Sequence, residues 1–189
     1  MSTNCSPYVE RISLGVRNKL IIALLFDTGL RASELCSVDV ETDLDLAQST
    51  IHVRHGKGDK PRVVPFGAST GKMLRKYIAV RGELDTDRLI VSQFGSPVDR
   101  DVLREIIVRI GKRAGIQVTT HQLRHSCAVA LIKAGCDVFT VQRLLGHSTL
   151  VMTRRYSNLA DVDVMDRHRQ FSPSDRLGNL KNVGRKKIR

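Results

Sequence analysis

Two short runs of β-branched residues, at 51–54 and 62–66, interrupt a chain whose apolar positions otherwise recur at helical spacing. Between them lies HGKGDKP, residues 55–61. Two strands around a Gly-rich connection predict a β-hairpin with Lys57 near its tip. Pro61 and Pro65 cannot donate to a β-ladder, so they place the second strand at an edge. Residues 44–46 predict one further short strand. The expected fold class is therefore α+β: mainly α-helical, with a small antiparallel β-sheet at one edge.

Helical punctuation is dense in the rest of the chain. Leu20, Ala23 and Leu24 recur at helical spacing from about Arg17, and Gly29 supplies a stop. A second short helix follows over 31–38, with Leu35 and Val38 turned inward beside the polar Ser33 and Glu34. Amphipathic helices are expected over 71–81 and 99–114, with Asp99 as N-cap and Gly115 just past the end. Another spans 119–133, capped by Thr119 or Thr120 and closed by Gly135. Asp137 opens a helix over 138–145 that Gly146 stops, and Ser148 or Thr149 opens one carrying Tyr156. No internal repeat is visible.

The chain has room for one domain with a real core. The expected layout is a lead-in over 1–15, a single domain over 16–171 and a basic tail over 172–189, of which residues 181–189 hold five Lys and Arg. Lys and Arg outnumber Asp and Glu by 31 to 19, a net charge of +12. Such an excess favours a polyanionic partner, nucleic acid before others, because neutralised phosphates release condensed counterions. The alternative is a basic surface that serves solubility. The cysteines at 5, 36, 127 and 136 form no CxxC pair, and free thiols fit a reducing cytoplasm. The longest apolar run, 20–26, is shorter than the ~18 residues of a membrane span.

Candidate chemistry is scattered, and each piece is weak alone. Arg31 in TGLRASEL reads in isolation as a solvent-facing arginine. Lys57 could simply deter edge pairing. In HQLRH, His121 and Arg124 are three apart and share a helix face near an N-terminus that attracts anions. His121 and His125 raise a zinc reading, but Gln122 stands where the metalloprotease pattern needs Glu. His125 reads better as a buried, hydrogen-bonded helix residue. His147 follows a helix end, and Tyr156 lies nine residues later behind Arg154 and Arg155.

Together these pieces match a family. TGLRASEL, GKGDKPRVVP, HQLRH and LGHSTLVMTRRY, in that order, resemble the catalytic domain of tyrosine recombinases and phage-type integrases over roughly residues 15–160. The resemblance implies that fold, and a site in which Arg31 and Arg124 bind a DNA phosphate while Glu34 braces them. It implies Lys57 as the hairpin lysine, His121 as the histidine paired with Arg124, His147 as the last histidine before the nucleophile, and Tyr156 as the nucleophile. The implied reaction cuts and rejoins double-stranded DNA through a 3′-phosphotyrosine, with no cofactor, metal or ATP. Self-association as a tetramer on DNA and a cytoplasmic, nucleoid-associated location follow from the same resemblance.

Two departures stand out. Gln122 occupies a position where the family often has an acid. Only about 15 residues precede the first expected helix, so the N-terminal DNA-clamping domain of the family is expected to be absent from this chain. Two other classes compete with recombination: nicking and resealing in the manner of type IB topoisomerases, and a non-catalytic DNA-binding module. The second is disfavoured because Arg31, Lys57, His121, Arg124, His147 and Tyr156 are all present.

Overall fold

Helix α1 (Leu14–Thr28) is the axis around which the chain packs. Its Leu20, Ile21, Leu24 and Leu25 are fully buried, because neighbours cover more than one of its faces: α3 (Ala68–Arg81), α4 (Arg100–Arg113) and α5 (Thr120–Lys133) all pack on it. Each such side chain contributes roughly 1.5–3 kcal/mol of transfer free energy. Gly29 ends α1 in the left-handed region at φ 62°, and the chain turns directly into α2 (Ala32–Ser37). These coordinates come from a computed structural model that describes residues 13–54 and 61–146.

Strands β1 (Leu44–Asp45), β2 (Thr50–Val53) and β3 (Arg62–Pro65) form one antiparallel sheet in that order. β2 faces β3 with Ile51 opposite Val64 and Val53 opposite Arg62. The proline-bearing β3 lies at an edge, as Pro61 and Pro65 require. The expected fold class is thus borne out: six helices and a small three-stranded sheet among the described residues.

Beyond the sheet, the main core continues through Phe66, Leu74 and Tyr77 to Leu103, Ile106 and Ile107. Leu89, Ile90 and Val91 are fully buried in this core, although they lie in a segment with no expected element. Short bridges, Asp39 to Arg88 and Val91 to Pro97, pin that segment down. A second cluster, Ala128, Ile132, Val141 and Leu145, joins α5 to α6 (Val138–Leu145).

Helix ends follow local chemistry closely. The Asp99 carboxylate accepts the N–H groups of Asp101 and Val102, and the Asp137 carboxylate accepts that of Thr140. Thr119 and Gln122 form a reciprocal capping box at the start of α5. Helix α3 begins at Ala68, three residues before the expected start at Gly71. Gly71 sits inside the helix because it faces the Phe66 ring, where an added Cβ would lie 3.2 Å from the ring edge. The hairpin residues 55–60, with Lys57, and everything from His147 onward, including Tyr156 and the basic tail, lie outside the described residues, as does the lead-in to residue 12.

Candidate active site

Four elements remote in sequence meet at the C-terminal end of α6. Arg31 is the N-cap residue of α2, Glu34 lies in that helix's first turn, Arg62 opens β3 and Arg124 projects from α5. Glu34 is the hub. Its Oε2 accepts the Arg31 backbone N–H at 2.8 Å and its Oε1 accepts Arg31 Nη1 at 2.6 Å. Arg62 donates to both of its oxygens, Nη1 to Oε1 at 2.9 Å and Nη2 to Oε2 at 2.8 Å. The Glu34 side chain is only 2% exposed, so it is charged and buried, a state that requires this many donors. Expected beside polar Ser33, Glu34 instead points inward with Leu35.

Burial is the largest influence on the Glu34 carboxyl and pushes its pKa up. Hydrogen bonds from Arg62 and from the Arg31 N–H, with the Arg62 charge, outweigh it, and the net shift is downward. Glu34 is therefore ionised near neutrality.

The arginines converge on consecutive carbonyls. Arg31 Nη2 donates to Gly146 O at 3.3 Å, Arg124 Nη2 donates to Leu145 O, and Arg62 Nε donates to Leu144 O at 3.0 Å. These are terminal carbonyls of α6, which lack partners within the helix and carry the negative end of its dipole. Arg124 Nη1 also donates to Gly29 O, tying the end of α1 to the site. Burial lowers the Arg124 guanidinium to about 10, with the nearby Arg31 charge adding to that effect and Glu34 opposing it. It stays protonated at neutral pH, in surroundings that favour an added anion. Three guanidiniums against one carboxylate leave a local charge of +2.

Two glycines make the convergence possible. Gly29 and Gly146 both adopt positive φ, 62° and 64°. A Cβ on Gly29 would lie 2.3 Å from Leu145 Cδ2, and one on Gly146 would lie 3.2 Å from Arg62 Nη1.

Of the candidate residues, Arg31, Glu34 and Arg124 are brought together. His121 lies in the exposed first turn of α5, one turn ahead of Arg124 and outside their ion-pair network. Lys57, His147 and Tyr156 lie outside the described residues. His125, expected to be buried, is exposed, because α5 turns Arg124, Cys127 and Ala128 inward and His125 away. Gln122 has a structural role in place of an acid: its side chain accepts the Thr119 N–H at 2.8 Å. That capping box occupies N–H groups at the α5 terminus.

Arg62 had no place among the candidate residues, although the strand pattern marks it. Along β3, Val63 is exposed and Val64 buried, so Arg62 falls on the inward face with Val64. An arginine there requires an acidic partner inside the fold. Burial raises the thiols of Cys36 and Cys127 to about 12 and about 11, so neither is a ready nucleophile. Tyr77 is fully buried, and its hydroxyl accepts the Val91 N–H, so it is closed to any ligand at the surface. No helix among the described residues is long and apolar enough to cross a membrane.

Comparison with known proteins identifies the family to which this fold belongs. The profile of the phage integrase family matches residues 5–162. The tyrosine recombinase XerC of Corynebacterium glutamicum is 36% identical over 161 residues, which cover 84% of this chain and 52% of the relative. XerA of Thermococcus kodakarensis is 39% identical over 146 residues, covering 76% and 51%. The crystal structure of XerA recombinase superposes with a TM-score of 0.71 at 36% identity, covering 85% of this chain and 60% of that one. The XerH site-specific recombinase, bound to its difH substrate before cleavage, gives 0.64 at 30% identity, covering 79% and 45%. The chain spans about half the length of the curated relatives it matches. With the profile match running over most of its length and the fold shared with solved recombinases, the chain belongs to the phage integrase family.

Proposed function

We propose that this chain is the catalytic domain, over residues 16–171, of a site-specific recombinase that cuts and rejoins double-stranded DNA. The observation that carries the reading is the convergence of Arg31 and Arg124 on adjacent carbonyls of α6, with Glu34 fixing the first of them. A phosphodiester resists attack because its oxygens are negative. Two guanidiniums held in place match those oxygens and the charge that grows on them in the transition state.

In this reading the Tyr156 phenol oxygen attacks phosphorus, and the bond from phosphorus to the 5′-oxygen breaks. A phenol with pKa ~10 must lose its proton as it attacks, and His121 accepts it. Lys57 protonates the departing 5′-oxygen, and His147 donates a hydrogen bond to the phosphate. The product is a 3′-phosphotyrosine, which preserves the bond energy, so a 5′-hydroxyl can reverse the reaction without ATP. Fixed cations handle the charge, and the steps require no metal. The enzyme would work as a tetramer on DNA, in the cytoplasm with the nucleoid. Its basic tail, 172–189, would add phosphate contacts.

The test is covalent capture. The chain is incubated with a library of short randomised duplexes, each carrying a nick, and DNA-linked protein is isolated in detergent and mapped by peptide sequencing. The adduct should map to Tyr156 and vanish in Tyr156→Phe, with folding and DNA binding kept. An adduct at Tyr8, or one that survives the substitution, removes Tyr156 from this role.

A further inference from the structure

Three consecutive carbonyls end α6, and three arginines from three elements take one each. Two of these arginines carry the phosphate role proposed above. The third, Arg62, is the first residue of β3 and lies opposite Val53. Its guanidinium meets Glu34 in a two-pronged pair at 2.9 and 2.8 Å, while its Nε holds Leu144 O at 3.0 Å. The side chain is 12% exposed. One residue thus ties the sheet to α2 and to the end of α6.

We propose that Arg62 is a positioning residue of the phosphate site: acting through Glu34 it sets where the Arg31 guanidinium points, and through the Leu144 carbonyl it seats the end of α6 beside it. The inference rests on the strand-transfer reading, in which Arg31 binds the scissile phosphate.

The physical reason is the sharing of one carboxylate. Glu34 Oε1 accepts from both Arg31 Nη1 and Arg62 Nη1, so the Arg31 guanidinium holds the carboxylate by one nitrogen and leaves its Nη2 directed at α6. Without Arg62, a buried carboxylate faces Arg31 alone at this contact. It then takes up a proton or draws Arg31 into a closed two-pronged pair, and either change moves the Arg31 donors. Lysine cannot substitute, because a single ammonium cannot bridge both carboxylate oxygens and the Leu144 carbonyl in this fork geometry. Among the described residues, the charged groups facing Glu34 are Arg31 from α2 and Arg62 from β3, with Arg124 of α5 within electrostatic reach; α6 presents carbonyls. Gly146 belongs to the same device, since any side chain there would press on Arg62.

The test compares the full chain with Arg62→Met, Arg62→Lys and the double variant Glu34→Gln/Arg62→Met. One measurement does not depend on turnover: the titration of Glu34 followed by carboxyl ¹³C NMR. It should move upward in Arg62→Met and part of the way in Arg62→Lys. The other is the rate of adduct formation on the nicked DNA recovered from the randomised library, across pH. Arg62→Met should be slower by about 10–100-fold near neutrality, the scale for losing an outer partner that orients a functional group. Its acid limb should shift to higher pH, and the double variant, which has no carboxyl to titrate, should lose that shift. Arg62→Lys should not restore the rate; if Arg62→Met does not fold, it carries the comparison. An unmoved Glu34 titration overturns the proposal, and so does a slower rate with an unshifted pH profile, the signature of plain fold support. Failure of the strand-transfer reading is distinct: the unmodified chain would then form no adduct at Tyr156, while the Glu34 titration would still report on Arg62.

Discussion

At the scale of single residues, Glu34 and its arginines carry most of what can be tested. Arg31→Ala and Arg124→Ala should each slow adduct formation by about 10² or more, the scale for removing one preorganised donor. A surface arginine would leave the rate unchanged, so a full-rate variant with normal DNA affinity withdraws the role from that residue. Glu34 also makes a prediction about pH. Its carboxyl titrates below the ordinary glutamate value. A depressed acid stabilises the fold above its unfolded-state pKa, ~4.3, and that contribution is lost as pH falls through the lower folded value. Glu34→Gln should therefore lose on the order of 3 kcal/mol near pH 7, where it breaks a buried pair. The gap between the two proteins should narrow at acid pH, below the unfolded-state pKa of ~4.3, as wild-type Glu34 also takes up its proton. Urea unfolding at both pH values measures it, and a gap that stays constant shows that Glu34 contributes through packing alone.

At the scale of elements, the seam between the end of α1 and the α5–α6 pair decides the site. Arg124 reaches across it to Gly29 O, and Leu145 and Cys127 close over Gly29. Gly29→Ala should cost about 1–2 kcal/mol for the left-handed backbone alone. The overlap of the new Cβ with Leu145 adds to this. The melting midpoint should fall by several degrees, given roughly 2–4 °C per kcal/mol for a domain of this size. Cleavage should fall further than stability explains, because the same shift moves the carbonyl that holds Arg124. Calorimetry with a parallel adduct assay checks both; wild-type values in both would mean that the seam yields without disturbing the arginine.

At the scale of the whole molecule, the chain carries a net charge of +12, and the proposed DNA partner is a polyelectrolyte. Phosphate contacts should dominate DNA binding by this chain, with few base contacts. Binding to random duplex should be weak, with Kd around 10⁻⁴–10⁻⁶ M at physiological salt and log affinity falling by about 0.9 per contacted phosphate for each unit of log salt. Titrations of random and captured sequences across salt concentrations test this. Tight, sequence-selective binding with a shallow salt slope would show that the chain reads bases by itself.

The sequence by itself determined the local features. Caps at Asp99, Thr119 and Asp137, stops at Gly29 and Gly146, and the proline-marked edge strand are all set by neighbours a few residues away. Ordered motifs also named Arg31, Glu34 and Arg124, which the fold brings into one cluster. Tertiary structure alone decided the burial of Leu89–Val91, which no periodic pattern announces, and the exposure of His125, which depends on which face of α5 meets α1. It also decided that Arg62, 28 residues from Glu34 in the chain, shares that carboxylate with Arg31. Alternation along β3 could place Arg62 inward, but not name its partner. A buried charge must find an opposite charge wherever packing brings one, and packing is a property of the whole chain.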